Sequence, residues 1–164
     1  MVEMDRVANP IIRGAIPADC DEILAVHKRA IRELCKGEYS QTQLAAWADR
    51  LTPQGYLPAI ERNVFLVSEI DARVVGFCEF SVPRGEVVAM YIHPVHARHG
   101  IGTLLFNEVE RIAQAHAIGT LTLSSSLSAV SFYERLGFIA GARSTHRLGN
   151  GTEIPCVAMS RSRA

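Results

Sequence analysis

The order of apolar and polar residues along the chain predicts its elements. Ile11 to Ile16 reads as a short first strand. Asp19-x-x-Glu22 has the form of a capping box. It opens a helix to about Lys36, with Ile23, Val26, Ala30 and Leu34 recurring on one inward face. Ser40-x-x-Gln43 opens a second helix carrying Leu44, Trp47 and Leu51. Thr52-Pro53, an N-cap followed by proline, starts a short third helix to about Glu61. The period then changes from helical to alternating. Val64–Ile70, Arg73–Val82 and Glu86–Ile92 read as three strands of an antiparallel meander, turned at Asp71-Ala72 and Pro83-Arg84-Gly85. A helix over Gly100–His116 presents Ile101, Leu104, Leu105, Val109, Ile112 and His116 on one face. A strand at Thr120–Leu123 follows, then a helix Leu127–Leu136 capped by Ser126 and ended by Gly137. Two last strands, Phe138–Arg147 and Glu153–Ser160, are joined at Gly149-Asn150-Gly151. This order predicts an α/β fold: a single-domain, mixed, mostly antiparallel sheet of about seven strands flanked by helices. Residues 1–9 read as a flexible tail and 10–162 as the domain.

The chemistry concentrates where the third meander strand meets the next helix. His93-Pro94 stops the apolar run Val87–Ile92, because Pro94 cannot donate to a ladder. A short loop then leads to Gly100-Ile101-Gly102 at the helix start. The first N–H groups of a helix have no internal partner, and the helix dipole adds partial positive charge there. Glycines let an anion come close, so a phosphate-bearing ligand is expected at the backbone of residues 98–103. No Gly-Lys-Ser/Thr follows, which excludes a nucleotide-hydrolase loop. Two glycines past mid-chain also fit a dinucleotide fingerprint poorly.

Composition removes several classes. No apolar run reaches the ~18 residues of a membrane span. With no signal layout at the N-terminus, the cytoplasm is the default expectation. Lys+Arg and Asp+Glu balance at 17 each, which disfavours a broad nucleic-acid surface. Cys20, Cys35, Cys78 and Cys156 are scattered and read as small buried residues. His93, His96 and His99 recur every third residue, but Pro94 breaks any helical alignment, and no metal is expected.

Two segments together carry a resemblance. Met90-Tyr91-Ile92-His93-Pro94 with Gly100-Ile101-Gly102 resembles the acetyl-CoA motif of GNAT-type N-acetyltransferases. The run Ser126 to Phe138 (SLSAVSFYERLGF) resembles that superfamily's second motif. Tyr39-Ser40 to Trp47 and Glu153 to Met159 further resemble a bacterial, YafP-like subgroup. The sequence departs from the pattern at Ala97, where an Arg or Gln usually begins the phosphate loop, and at Ser124–Ser126, where many members carry an asparagine.

The resemblance implies transfer of an acetyl group from acetyl-CoA, as co-substrate, to the primary amine of a small molecule. Cofactor contacts are then expected from Met90, Tyr91, Ile92, Arg98, His99, Gly100, Ile101, Gly102, Thr103, Ser126 and Phe132. Tyr133 is the implied acid at the CoA sulfur, and a backbone N–H near Tyr91 or Ile92 the implied oxyanion contact. Glu86, Glu79 and His93 are alternative general bases, and Tyr39 and Trp47 are candidates for the acceptor wall. The resemblance leaves a homodimer open and points to no nucleic-acid or membrane partner. A non-catalytic acyl-CoA-binding module on the same fold is the alternative reading.

Overall fold

A computed structural model describes residues 9–163; residues 1–8 lie outside it, so the expected tail falls almost wholly beyond the described residues. The seven strands are β1 (Ile11–Gly14), β2 (Val64–Ile70), β3 (Arg73–Ser81), β4 (Glu86–Ile92), β5 (Thr120–Ser126), β6 (Ile139–Arg147) and β7 (Glu153–Ser162). They form one sheet in the order β1-β2-β3-β4-β5-β7-β6, mixed α/β as the pattern predicts. Every neighbouring pair is antiparallel except β4 and β5.

Helices α1 (Cys20–Leu34), α2 (Gln41–Asp49) and α3 (Leu57–Arg62) precede the meander; α4 (Ile101–Ala115) and α5 (Val130–Arg135) follow it. Alternation along the strands sorts side chains to two cores. Phe65, Val67, Val74 and Phe77 pack with Ile23, Val26 and Tyr56 on the α1 side. Leu66, Cys78 and Phe80 pack with Leu105, Phe106 and Val109 of α4 on the other. Each buried Phe or Leu contributes roughly 1.5–3 kcal/mol. Slipping a strand by one residue would send these groups to the wrong face, so both cores fix the register.

Several local expectations shift. Ser40 and Gln43 form the reciprocal capping box foreseen for α2. Asp19 does not cap α1 with its side chain. Its carboxylate instead accepts from the Ile16 N–H at 2.8 Å and from both terminal nitrogens of Arg13, at 2.8 and 2.9 Å. Pro17 begins a single 3-10 turn there, which moves the capped donor one turn upstream and ends β1 at Gly14. Strand β5 runs on through Ser124–Ser126, because β7 pairs with it down to Ser126 opposite Cys156. Ser126 therefore offers no side-chain cap, and a 3-10 turn, Leu127–Ala129, intervenes before α5. Leu104, Leu34 and His116 are exposed rather than inward.

Candidate active site

The parallel pair makes the opening. Strand β4 pairs with β5 only at Glu86–Thr122 and Val87–Leu123, and beyond Val87 the two diverge. An extra residue, Val88, bulges β4 against β3 between Phe80 and Glu79, a device that bends a strand. The β5-facing edge of β4 is thus freed over Val88–Ile92. A notch of about 50 Å³ lies in the gap, between Val88–Tyr91 and Ser124–Ser126. It adjoins a larger cleft of about 680 Å³, walled by α1, the end of β4, the glycine turn and α5.

The turn is built for close approach. Gly100 caps α4 at φ +82, a left-handed conformation that disfavours a side chain. Gly102 has no room for one: a Cβ there would lie 2.9 Å from Phe132 Cζ. This contact seats α5 on α4. The first helical bond runs from the Leu104 N–H to the Gly100 carbonyl, leaving the N–H groups of Ile101, Gly102 and Thr103 without intrahelical acceptors. Arg98, itself at φ +63, lines the cleft beside this turn, and Arg135 lines it from α5. A phosphate-bearing ligand fits this arrangement of free donors and guanidinium groups.

Tyr133 borders both the notch and the cleft. Its ring is buried against Phe132 and Phe138. Burial raises the pKa of its phenol well above the ordinary range, so the hydroxyl carries its proton at any working pH.

A family model described as acetyltransferase (GNAT) domain matches residues 35–160. The chain belongs to the GNAT acetyltransferase family. It is 26% identical over 127 residues to the uncharacterized N-acetyltransferase YafP of Escherichia coli, covering 77% of this chain and 79% of that protein. A GCN5-related N-acetyltransferase from Rhodopseudomonas palustris matches with a TM-score of 0.89 and 26% identity, over 96% of this chain and 98% of that one. The structure of yncA from Salmonella typhimurium, with its cofactor acetyl-CoA, shares the fold at a TM-score of 0.68 and 24% identity, over 93% of each chain.

Against this GNAT frame the expected site residues divide. Met90, Tyr91, Ile92, Arg98, Gly100, Gly102, Thr103, Ser126, Phe132 and Tyr133 all line the cleft. Ile101 is buried beneath the turn, so only its backbone faces the anion position, and His99 is exposed outside the cleft lining. Glu86 starts β4 at the end far from the turn, lines neither cavity, and pairs with Arg84 at 3.2 Å. Glu79 projects to the α1 face and accepts from Asn63 Nδ2 at 2.7 Å. His93 accepts the Val95 N–H through Nδ1 at 3.2 Å; burial, with help from Arg29, lowers its pKa.

Tyr39 and Trp47 meet edge to face, but within a core cluster rather than on the cleft wall. The Tyr39 hydroxyl donates to the Pro155 carbonyl at 2.6 Å and accepts the Leu127 N–H at 2.9 Å. It thereby ties β7 to the turn before α5. The wall facing the glycine turn comes instead from Ala30 and Leu34 on α1 and from Cys35 just past its end. Leu34 reads as inward-facing from its spacing, yet the helix leaves it 42% exposed, and the cleft explains why. Ala30 and Cys35 gave no signal, because both also read as ordinary core. Beneath them, His27 is buried with its ring 4.2 Å from that of Tyr91 and Nδ1 2.9 Å from the Tyr56 hydroxyl. Burial, and secondarily Arg50, lowers its pKa to about 3.

Proposed function

We propose that the protein is an N-acetyltransferase that moves the acetyl group of acetyl-CoA to the primary amine of a small molecule, in one complex holding both. The observation that carries this reading is the splay of β4 from β5, with the glycine turn at one end and the Tyr133 hydroxyl beside the gap. Acetyl-CoA in the Salmonella typhimurium structure supports the same co-substrate here.

The N–H groups of Ile101, Gly102 and Thr103, with Arg98 and Arg135, bind phosphate oxygens. The freed edge of β4 takes the amide-bearing arm as a further strand would. A backbone N–H near Tyr91 or Ile92 holds the thioester oxygen, where charge develops during attack. Tyr133 delivers a proton to the leaving sulfur. Burial keeps the phenol protonated and also makes it a weaker acid, so transfer to a thiolate of ordinary pKa near 8–9 relies on that thiolate forming in the same desolvated gap, where its own pKa rises as well.

Calorimetry with acetyl-CoA, free CoA and ATP tests the binding half: selective binding of both CoA species is expected, and equal ATP binding refutes it. Tyr133→Phe tests the chemical half. Acetyl-CoA affinity should persist while turnover falls about 10²–10⁴-fold. Equal rates in the two proteins at every pH would remove Tyr133 as the acid.

A further inference from the structure

We propose that the acceptor is a weakly basic amine that enters the cleft already neutral, and that no side chain among the described residues strips a proton from it before attack. This rests on the acetyltransfer reading above and narrows its substrate class.

The cleft wall carries the argument. Among the described residues its charged side chains are Arg98 from the loop and Arg135 from α5. Its other titratable groups are Cys35 just past α1, Tyr91 on β4 and Tyr133 on α5, all alkaline and all raised further by burial. The carboxylates and imidazoles nearby are engaged elsewhere. Glu79 is held by Asn63, and Glu86 by Arg84 at the far end of β4. His93 spends Nδ1 on the Val95 N–H, with Arg29, Glu33 and His96 as its charged neighbours. His27 lies under Tyr91, hydrogen-bonded to Tyr56. With Arg98 and Arg135 taken by the phosphates of acetyl-CoA, an ammonium at the other end of the cleft, beside Cys35, Tyr91 and Tyr133, loses hydration and meets no carboxylate among the described lining residues, so this end favours the uncharged form.

Proton balance makes a base unnecessary for such a substrate. The amine lone pair forms the new N–C bond as the C–S bond breaks, and the bonding pair leaves on sulfur. The amine nitrogen then holds one proton too many and the thiolate one too few. Tyr133 gives its proton to sulfur and is reprotonated from nitrogen, directly or through water. A neutral amine plus the thioester thus yields the amide and the thiol with no proton left over. An ammonium would bring one extra proton, and nothing on this wall is placed to take it.

The test uses four amines of nearly equal size and stepwise falling basicity: ethylamine and its mono-, di- and trifluoro derivatives. Thiol release is followed across pH with the whole protein, and acetyl-CoA binding is titrated in the same samples. The ascending limb of kcat/KM should move down with each acceptor's own pKa. At pH 7 the neutral fraction rises about tenfold for each pKa unit lost while the pKa lies above 7 and levels off below it, so the fluorinated amines should outpace ethylamine. Glu79→Gln, Glu86→Gln and His93→Gln should leave that limb in place. A limb fixed at one pH for all acceptors, or abolished in one of these variants, overturns the proposal. So does turnover that favours ethylamine, or no turnover of any of the four with acetyl-CoA bound. Failure to bind acetyl-CoA is a different result, and would remove the acetyltransferase reading itself.

Discussion

Acidification should weaken this protein through His27. The imidazole has an ordinary pKa near 6.5 and is held to about 3 in the fold. Between those values the unfolded chain binds a proton that the folded chain refuses. Stability therefore rises with pH across this window and is lost as pH falls through it. At about 1.4 kcal/mol per tenfold change, the full effect below pH 3 is about 5 kcal/mol. Between pH 7 and pH 5 it is about 2 kcal/mol, and that smaller figure requires only that the folded pKa lie well below 5.

His27→Gln removes the titration while keeping a polar group near the Tyr56 hydroxyl. The substitution lowers stability at every pH, so the informative quantity is the change in unfolding free energy between pH 7 and pH 5, measured by urea titration. The wild-type change should exceed the variant's by about 2 kcal/mol. Asp19, whose carboxyl is held low chiefly by Arg13, loses its contribution at lower pH and does so equally in both proteins. Equal losses in wild type and variant would refute a buried, neutral His27. The same titration matters to the site, since the His27 ring lies 4.2 Å from that of Tyr91, and charging it should disturb the end of β4.

Tyr39→Phe leaves the Leu127 N–H and the Pro155 carbonyl without their shared partner and should destabilise by about 1–3 kcal/mol, read as a lower melting temperature; an unchanged midpoint refutes the bridge. Gly102→Ala forces Phe132 away from α4, an overpacking of about 1–3 kcal/mol, and should weaken acetyl-CoA binding as α5 shifts. Unchanged stability and affinity would mean that the ring yields freely. Asp19→Asn breaks a bidentate pair whose Arg13 side chain is 33% exposed, so about 1–3 kcal/mol is expected in urea unfolding, less than for a dry pair. An unaltered urea midpoint would show that solvent replaces the pair.

The glycine turn and the Tyr133 helix were legible in the sequence because each is a local run whose chemistry follows from adjacent residues. The strands and helices were legible for the same reason, through their periods. What could not be read depends on which partner each polar group takes, near or far along the chain. Ser124–Ser126 has weak strand propensity, and only pairing with β7 extends β5 through it. Asp19 looks like a cap until Arg13 and the Pro17 turn claim its carboxylate. Tyr39 looks like a free aromatic beside the cleft. Its hydroxyl is in fact spent on two backbone groups 88 and 116 residues away. Glu79 and Glu86 have the right residue type at plausible strand positions, but Glu79 is taken by Asn63, 16 residues away, and Glu86 by Arg84 across the tight turn that precedes it.

One topological fact joins these details. A meander keeps neighbours antiparallel, but the crossover through α4 brings β5 in parallel to β4, the sole such pair among the described strands. That crossover begins at the glycine turn, so the helix N-terminus stands at the same end of β4 where the strands part. Strand β5 is held along its whole length by β7 and does not follow β4 as the Val88 bulge bends it. Helix α5 leaves the gap open, with Tyr133 lining it. The glycine turn, the free strand edge and the position of Tyr133 therefore share one cause. A substitution that restored β4–β5 pairing past Val87 would remove the notch while leaving the glycine turn intact.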